Sequence, residues 1–424
     1  MWGYLVLILS SLACSYQASN FSGVVVSYGR FWNDSYVAVH YTINSRNECI
    51  NPFWTCLSGY CGLKAQEFNV TAPGLFGGCT TVGLTIYYVS GPTQFVLSLH
   101  GLQWVNVTND VKDAVALTRV DWRRRSDTGK ANASPRSAVP HVLRVPSNCE
   151  RKVTLPTIDS DGDAVACRFQ NKTSVLKLTP NCTMTFIPGA NVSYAEGKYA
   201  VQLIMEDFPR QNITLTDGKG NAIPLQSENA LGQIPIQFLL MVDPRVESCV
   251  EGEYLPAFLP PTPANGDLLF ASVDETLKIY INTIARKANS TEMIFIGPPG
   301  MVSAFKDGLH FLVWTPIETD LGQSQHVCFI VQALERVTLI VRHSEMRCVI
   351  VTVVPVVVEL RARLRSAFPL YESTFNLTQI KAELVMQGLP ADITLRLLSF
   401  DEKTATATPS GGETQTAVLA PSTP

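Results

Sequence analysis

Helical periodicity is almost absent from this chain before residue 370, and so are the residue patterns that mark most enzymes. Short alternating or continuous runs of Val, Ile, Leu, Phe and Tyr stand between turn residues instead, which argues for all-β sandwiches rather than βαβ units. The six histidines (His40, His100, His141, His310, His326 and His343) are scattered singly, with no His-x-x-x-His or His-Glu pair to hold zinc. No Gly-x-Ser-x-Gly elbow marks a nucleophile. Asp127-Thr-Gly129 matches an aspartic-protease triplet, but that chemistry needs two triplets, each after an apolar strand, and here Arg123 to Ser126 precede a single copy. Asp217-Gly-Lys-Gly220 leads to Pro224 rather than to a helix, so it reads as a turn and not as a phosphate loop. The expectation is a protein without catalysis.

Charge is also sparse. Charged residues make up 16% of the chain and the formal net charge is -3, which gives no global field for nucleic acid or an anionic membrane. The one basic cluster, Arg123 to Arg125, lies in a turn-rich stretch ending at Lys130 and reads as a solvated loop. Long hydrophobic runs are missing too. Cys348 to Leu360 is too short for a span, is interrupted by Pro355 and is rich in Val, so it reads as buried strand. No transmembrane helix or GPI-type tail is read in the chain; a membrane anchor would have to lie outside it.

An apolar run of h-region length, Tyr4 to Ala13, is present, and a cut after Ser15 makes residues 1–15 a signal peptide. A bacterial lipobox ending at Cys14 fits less well, since Ser11 stands where Leu is wanted. Behind this leader lie eleven Asn-x-Ser/Thr sequons, at Asn20, Asn33, Asn69, Asn106, Asn132, Asn171, Asn181, Asn191, Asn212, Asn289 and Asn376. That excess points to glycosylation outside the cytosol. The cut would discard Cys14 from eleven cysteines and leave an even ten, as a disulfide-bonded ectodomain needs. The expected pairs are Cys49 with Cys79, Cys56 with Cys61, Cys167 with Cys182, Cys328 with Cys348 and, as the remainder, Cys149 with Cys249, although spacing alone leaves other connectivities open.

The middle of the chain repeats. Leu178 to Pro188 followed by Tyr199 to Asp207 matches Leu309 to Pro316 followed by Val327 to Ala333: an aromatic-ending strand, a proline stop, a glycine-containing turn and an alternating strand. Phe186 and Trp314 should then fill equivalent core positions between two sheets. The expected fold class is mainly β, with tandem immunoglobulin-like sandwiches after a Cys-rich N-terminal β module and before a small C-terminal β-α-β unit. The expected boundaries are 19–120 for the disulfide-bearing module, 121–145 for a linker, 146–245 and 246–355 for the sandwiches, 356–400 for the β-α-β unit with a helix over Asn376 to Met386, and 401–424 for a disordered Ser/Thr/Pro tail.

Five segments carry a resemblance: Arg125 to Pro135, Arg144 to Cys149, Tyr199 to Arg210, Tyr254 to Asn265 and Gln387 to Ser399. They are similar to those of a large group of uncharacterised extracellular proteins abundant in bony fishes. The acidic opening Asp159-Ser-Asp161-Gly-Asp163 and the strand-Pro-turn-strand ending also resemble cadherin-like and PKD-like immunoglobulin-type repeats. The resemblance implies tandem sandwiches in a secreted or surface ectodomain, and no reaction. It departs in two places: no Thr/Pro stalk precedes the C-terminal unit, and the unit at 246–355 lacks the acidic opening.

Asp159, Asp161 and Asp163 are the candidate calcium ligands, because closely spaced carboxylates on a turn offer hard oxygens. The loop is not an EF-hand, since Ala164 and Gln170 stand where Gly and Glu are needed. Resemblance adds Glu206 and Asp207 as a nearby acidic pair. The plainer and preferred reading is a polar inter-strand turn with Asx hydrogen bonds. The functional expectation is a secreted or cell-surface adhesion or recognition glycoprotein with an extracellular protein or glycan partner and no nucleic acid. The alternative is a structural or matrix spacer, with a secreted hydrolase a distant third.

Overall fold

The computed structural model describes residues 20–422 apart from 74–77, 112, 172–174, 189–195, 307, 356–359, 367–380, 383–384, 387–393 and 404–412. The expected signal peptide lies outside the described residues. The chain divides into two compact units, one of Met1–Leu259, Thr283–Ile296 and Cys328–Arg347, the other of Pro260–Asn282, Gly297–Val327 and Cys348–Pro424.

The first unit opens with β1 (Phe21–Arg30), β2 (Tyr36–Arg46), β3 (Phe53–Gly59), β4 (Leu63–Pro73), β5 (Gly78–Tyr88), β6 (Gln94–His100) and β7 (Ala116–Asp121). There follow β8 (Arg124–Arg125), β9 (Val142–Pro146), β10 (Arg151–Thr154), β11 (Ala164–Phe169), β12 (Leu176–Leu178), β13 (Thr183–Phe186), β14 (Gly197–Phe208), β15 (Ile213–Thr216), β16 (Ala222–Leu225) and β17 (Gln233–Asp243).

Strands β1, β2, β5 and β4 pair antiparallel in that order, and β3, β6 and β7 form a second run. The turn from β3 to β4 joins opposite ends of the sheet order, so the sheet curls on itself. Trp54 of β3 accordingly meets Tyr41 of β2 edge-on, with centroids 5.7 Å apart. Gly59 and Gly62 flank this turn at φ 75° and 76°, and a Cβ would come within 2.2 Å of the Gln94 carbonyl and 2.1 Å of the Tyr88 carbonyl. Only glycine fits either place. Strand β17 pairs with both β1 and β7, so hydrogen bonding runs across the boundary expected near 145.

Strand β17 is also the spine of the first sandwich, with β9 parallel on one side and β14 antiparallel on the other, and β11 beyond β14. Both of its faces are covered, and its sequence, QIPIQFLLMVD, is correspondingly an almost unbroken buried run. The second layer is β10-β13-β12. Cys167 of β11 is bonded to Cys182, the residue before β13, joining the layers. Phe186, at the end of β13, is 1% exposed. A small sheet, β16-β15-β8, stands apart, with its hairpin closed by Asp217, whose Oδ1 accepts from the amides of Lys219 and Asn221. That confirms a turn at Asp217.

The repeat recurs strand by strand in β18 (Ala257–Leu259), β19 (Leu268–Ser272), β20 (Leu277–Ile284), β21 (Ala288–Ile296), β22 (Val302–Lys306), β23 (Leu309–Trp314), β24 (Ser324–Glu335), β25 (Val341–His343) and β26 (Arg347–Val354). In the second unit β19 runs parallel to β26, as β9 does to β17, and β23 is flanked by β20 and β22, as β13 is by β10 and β12. In the first unit β21 pairs with β24, as β11 does with β14. Trp314 closes β23 as Phe186 closes β13, 2% exposed, with its indole N–H donating to the Pro299 carbonyl at 3.2 Å. The chain is thus mainly β and built of tandem immunoglobulin-like sandwiches.

Disulfides join Cys49 to Cys79, Cys56 to Cys61 and Cys149 to Cys249 as well as Cys167 to Cys182, and Cys328 and Cys348 are also disulfide-bonded. Near the C-terminus, β27 (Leu360–Ser366), β28 (Thr394–Lys403) and β29 (Glu413–Ser422) form a sheet in the order β27-β29-β28. The tail expected to be disordered therefore supplies the central strand, a correction whose cause is the run Thr416-Ala-Val-Leu419 inside a Ser/Thr-rich stretch. Most of the helix expected over Asn376 to Met386 lies outside the described residues.

Candidate functional site

The acidic turn folds around a buried cation that local sequence gives no reason to connect with it. Arg125 is 1% exposed, and its two Nη atoms hold both oxygens of Asp163. Its Nη2 also donates to Asp127 at 2.7 Å, its Nη1 donates to Asn132 Oδ1 at 2.6 Å, and Asp161 lies 3.6 Å away. Burial alone would lower the Arg125 guanidinium, but hydrogen bonds to Asp163 and Asp127 outweigh it and hold the group above the usual arginine range. The solvated-loop reading of Arg123 to Arg125 is corrected: Arg124 is exposed, but Arg123 is held by Asp121 and Arg125 is core. Asp127-Thr-Gly129 is a turn bound to Arg125, and the Asp127 carboxyl is lowered by that hydrogen bond.

Backbone geometry places the carboxylates. Asp159 Oδ1 accepts from the amides of Asp161 (2.9 Å) and Asp163 (3.0 Å), an Asx-type turn, while Asp161 accepts from the Ala133 amide at 2.8 Å. Asp207, from the end of β14, accepts from the Gly232 amide at 3.0 Å and from the Asn132 side chain at 2.6 Å. Carboxylate oxygens of Asp159, Asp163 and Asp207 lie within 4.8 Å of one another. Asp207 therefore joins the cluster, whereas Glu206 turns away to Arg168 and Gln233. Burial first, then neighbouring carboxylates, push Asp207 up to about 7 and Asp159 up to about 6. Calcium takes six to eight oxygens from protein and water together, and most of the carboxylate oxygens here already have protein partners. Arg125 already occupies both oxygens of Asp163, and backbone amides occupy Asp159 Oδ1 and an oxygen of Asp161.

Asn132 is the sequon residue that sequence reading placed wrongly. It is 1% exposed, and its amide nitrogen donates to Asp207 and to the Tyr28 hydroxyl, so the folded chain has no room for a glycan there. Asn33, Asn69, Asn106, Asn171, Asn181, Asn212 and Asn289 are exposed and Asn20 is half-buried; Asn191 and Asn376 lie outside the described residues.

A second feature, invisible in the sequence, is an outward apolar face on β2, β5 and β4. Ring centroids of Trp32 and Tyr36 are 5.4 Å apart and those of Tyr36 and Tyr88 are 5.5 Å apart, forming an aromatic row. Leu63 is registered opposite Tyr88, Phe68 opposite Leu84 and Val70 opposite Val82, so their side chains lie on the same face, in two exposed groups divided by the buried Ile86 and Ala38. Leu63 and Phe68 are an odd number of residues apart and share it only because the pairing shifts between Lys64 and Gln66. Trp32 is 67% exposed and Phe68 is 53% exposed, and Leu63, Val70, Val82 and Tyr88 are exposed too. Asn69 falls on the opposite face, where it accepts from the Tyr41 hydroxyl at 2.5 Å, while Asn33 stands beside Trp32 at the border.

No family model and no curated protein matches the chain. Among solved structures, an endo-fucoidan hydrolase of glycoside hydrolase family 107 is 13% identical over 74% of this chain and 42% of its own, with a TM-score of 0.19. The protocadherin GammaB4 extracellular domain is 10% identical over 88% of this chain and 58% of its own, with a TM-score of 0.17. The human desmocollin-1 ectodomain is 8% identical over 80% and 60%, with a TM-score of 0.18. The chain thus spans less than half of the hydrolase. At such TM-scores these likenesses carry no functional argument. Among the described residues no helix is long and apolar enough to cross a membrane.

Proposed function

We propose that this chain is an extracellular glycoprotein that works by binding, as an adhesion or recognition ectodomain without catalysis. The observation that carries the reading is the apolar face of Trp32, Tyr36, Tyr88, Leu63, Phe68 and Val70. Large apolar side chains gathered in the open on one face of a folded domain are costly to leave in water and mark contact sites. Rigid aromatic side chains give large contact area at little cost in conformational entropy, which suits a protein surface or the apolar face of a sugar. Ten disulfide-bonded cysteines and exposed sequon asparagines support an oxidising, glycosylating compartment. Asn69 faces away from the patch, so a glycan there leaves it open.

The test is capture of surface proteins and glycans by the purified glycoprotein, compared with a Trp32→Ser/Phe68→Ser variant. Partners retained by the parent and lost by the variant support the proposal. A matrix spacer would show the same weak set with both.

A further inference from the structure

The turn between β24 and β25, Arg336 to Leu339, holds two aliphatic side chains out in water. Val337 is 93% exposed and Leu339 is 68% exposed. Leu339 also stands at φ 57°, in the left-handed region where glycine or asparagine is the usual occupant. Hydrogen bonds fix the backbone there: the Leu339 amide donates to the Glu335 carbonyl at 3.2 Å, the Glu335 amide donates to the Ile340 carbonyl at 2.9 Å, and the Glu335 carboxylate is paired with buried Arg342. A leucine in this place costs backbone strain and leaves apolar surface in water, and asparagine would avoid both.

A sequon stands beside the turn. Asn289, of Asn289-Ser-Thr291, is exposed on β21 and registered opposite Leu334 of β24, which is itself opposite Val341 of β25. Cross-strand partners point to the same side, so Asn289, Leu334 and Val341 form one row, the last two half-buried. Asn289 Oδ1 accepts from Arg336 Nε at 3.1 Å, and the Arg336 amide donates to the Lys287 carbonyl at 3.4 Å, so the start of the turn lies against the sequon. That contact uses the amide oxygen of Asn289. Its Nδ2, the atom that carries an N-linked sugar, has no protein partner among the described residues.

One arginine side chain spans the gap between the turn and Asn289, and two linked N-acetylglucosamines are longer than that. The C–H face and N-acetyl methyl of such a sugar suit aliphatic side chains, while its hydroxyls and amide oxygen can accept from the Arg336 guanidinium. A membrane or a protein partner approaching the same turn would meet the glycan first.

We propose that the turn Arg336 to Leu339, with Leu334 and Val341 beside it, is the docking surface for the first two N-acetylglucosamines of the chain's own glycan at Asn289, which pins the β24 to β25 hairpin. The inference rests on the glycoprotein reading above.

The test is hydrogen exchange of the full secreted glycoprotein against a Thr291→Ala variant, which removes the sequon and keeps Asn289 with its bond to Arg336. Amides of residues 336–341 are expected to exchange about ten-fold more slowly in the parent, the factor that partly covering two exposed aliphatic side chains supplies. In a Val337→Ser/Leu339→Asn background, where asparagine suits the left-handed backbone, Thr291→Ala should no longer change the exchange. Should Thr291→Ala fail to fold, enzymatic removal of the whole glycan from the folded parent, which leaves a carboxylate to accept from Arg336, gives the same comparison. Equal exchange with and without the sugar, an undiminished effect in the doubly substituted background, or protection that appears only on adding anionic lipid vesicles would overturn the proposal. Glycopeptide mass spectrometry separates the two readings: sugar at other sequons with Asn289 bare overturns this inference alone, and no sugar at any sequon overturns the glycoprotein reading with it.

Discussion

Arg125 and Asp163, separated by 38 residues in sequence, form a buried two-pronged ion pair at the base of the acidic turn. The guanidinium also faces Asp127 and Asp161, so truncating it leaves several carboxylates without their counter-charge. Arg125→Ala is expected to destabilise the first unit by about 3–5 kcal/mol, the range for breaking one side of a buried pair. Arg125→Lys should recover little, because an ammonium cannot match the fork geometry. Urea unfolding of both variants against the parent checks this.

The raised carboxyls give a pH dependence whose sign can be worked out. Asp159, at about 6, and Asp207, at about 7, lie above the ordinary value of 3.8, so the folded chain binds more protons than the unfolded chain between about pH 4 and 7. Their contribution to stability is full below pH 4 and is lost as pH rises through 6 to 7. The buried, neutral His343 acts oppositely: at about 3, through burial first, its contribution is lost as pH falls below 6.5. A difference measurement separates the two effects. Asp159→Asn keeps the acceptor for the Asp161 and Asp163 amides and replaces the buried, unpartnered Oδ2 with a donor. It should raise stability at pH 8 by about 1–3 kcal/mol and have little effect at pH 4.5. Denaturant midpoints at the two pH values test it.

Calcium should leave the protein unmoved. A site filled at about a hundred times its Kd would add about 2.7 kcal/mol and raise the melting temperature by several degrees. With Arg125 filling the cluster, calcium and chelator are expected to give the same melting curve. A calcium-dependent rise that Asp159→Asn removes would restore the metal reading.

Glycan mapping should separate the sequons by burial. Glycopeptide mass spectrometry of the secreted protein is expected to find Asn132 unmodified and glycans at exposed sites such as Asn33, Asn106, Asn181, Asn212 and Asn289. Occupied Asn132 in folded protein would contradict the hydrogen bonds drawn to Asp207 and Tyr28.

Local signals made the fold largely readable. Proline stops, alternating strands and aromatic-ending segments repeat within one sandwich length, and the structure aligns Phe186 with Trp314 on corresponding strands. The acidic turn could be located for the same reason, since Asx hydrogen bonds are short-range. Its counter-ion could not. Arg125 sits among basic and turn residues, like a solvated cluster, and only tertiary folding brings Asp163 and Asn132 to it. The sequon Asn132-Ala-Ser134 was ambiguous because a sequon reports accessibility only if the segment stays at the surface. The apolar face of β4 was hidden in the phase of alternation: the shifted pairing after Lys64 decides that Leu63 and Phe68 point the same way, and no spacing rule predicts it.

The central claim, recognition through the aromatic face of β2, β5 and β4, is tested most directly by comparing what the purified glycoprotein and the Trp32→Ser/Phe68→Ser variant capture from a cell-surface protein and glycan library. Both side chains are more than half exposed, so the variant should melt like the parent. The account predicts a reproducible partner on the parent that the variant loses. The same captured set on both, or no specific partner on either, would contradict it.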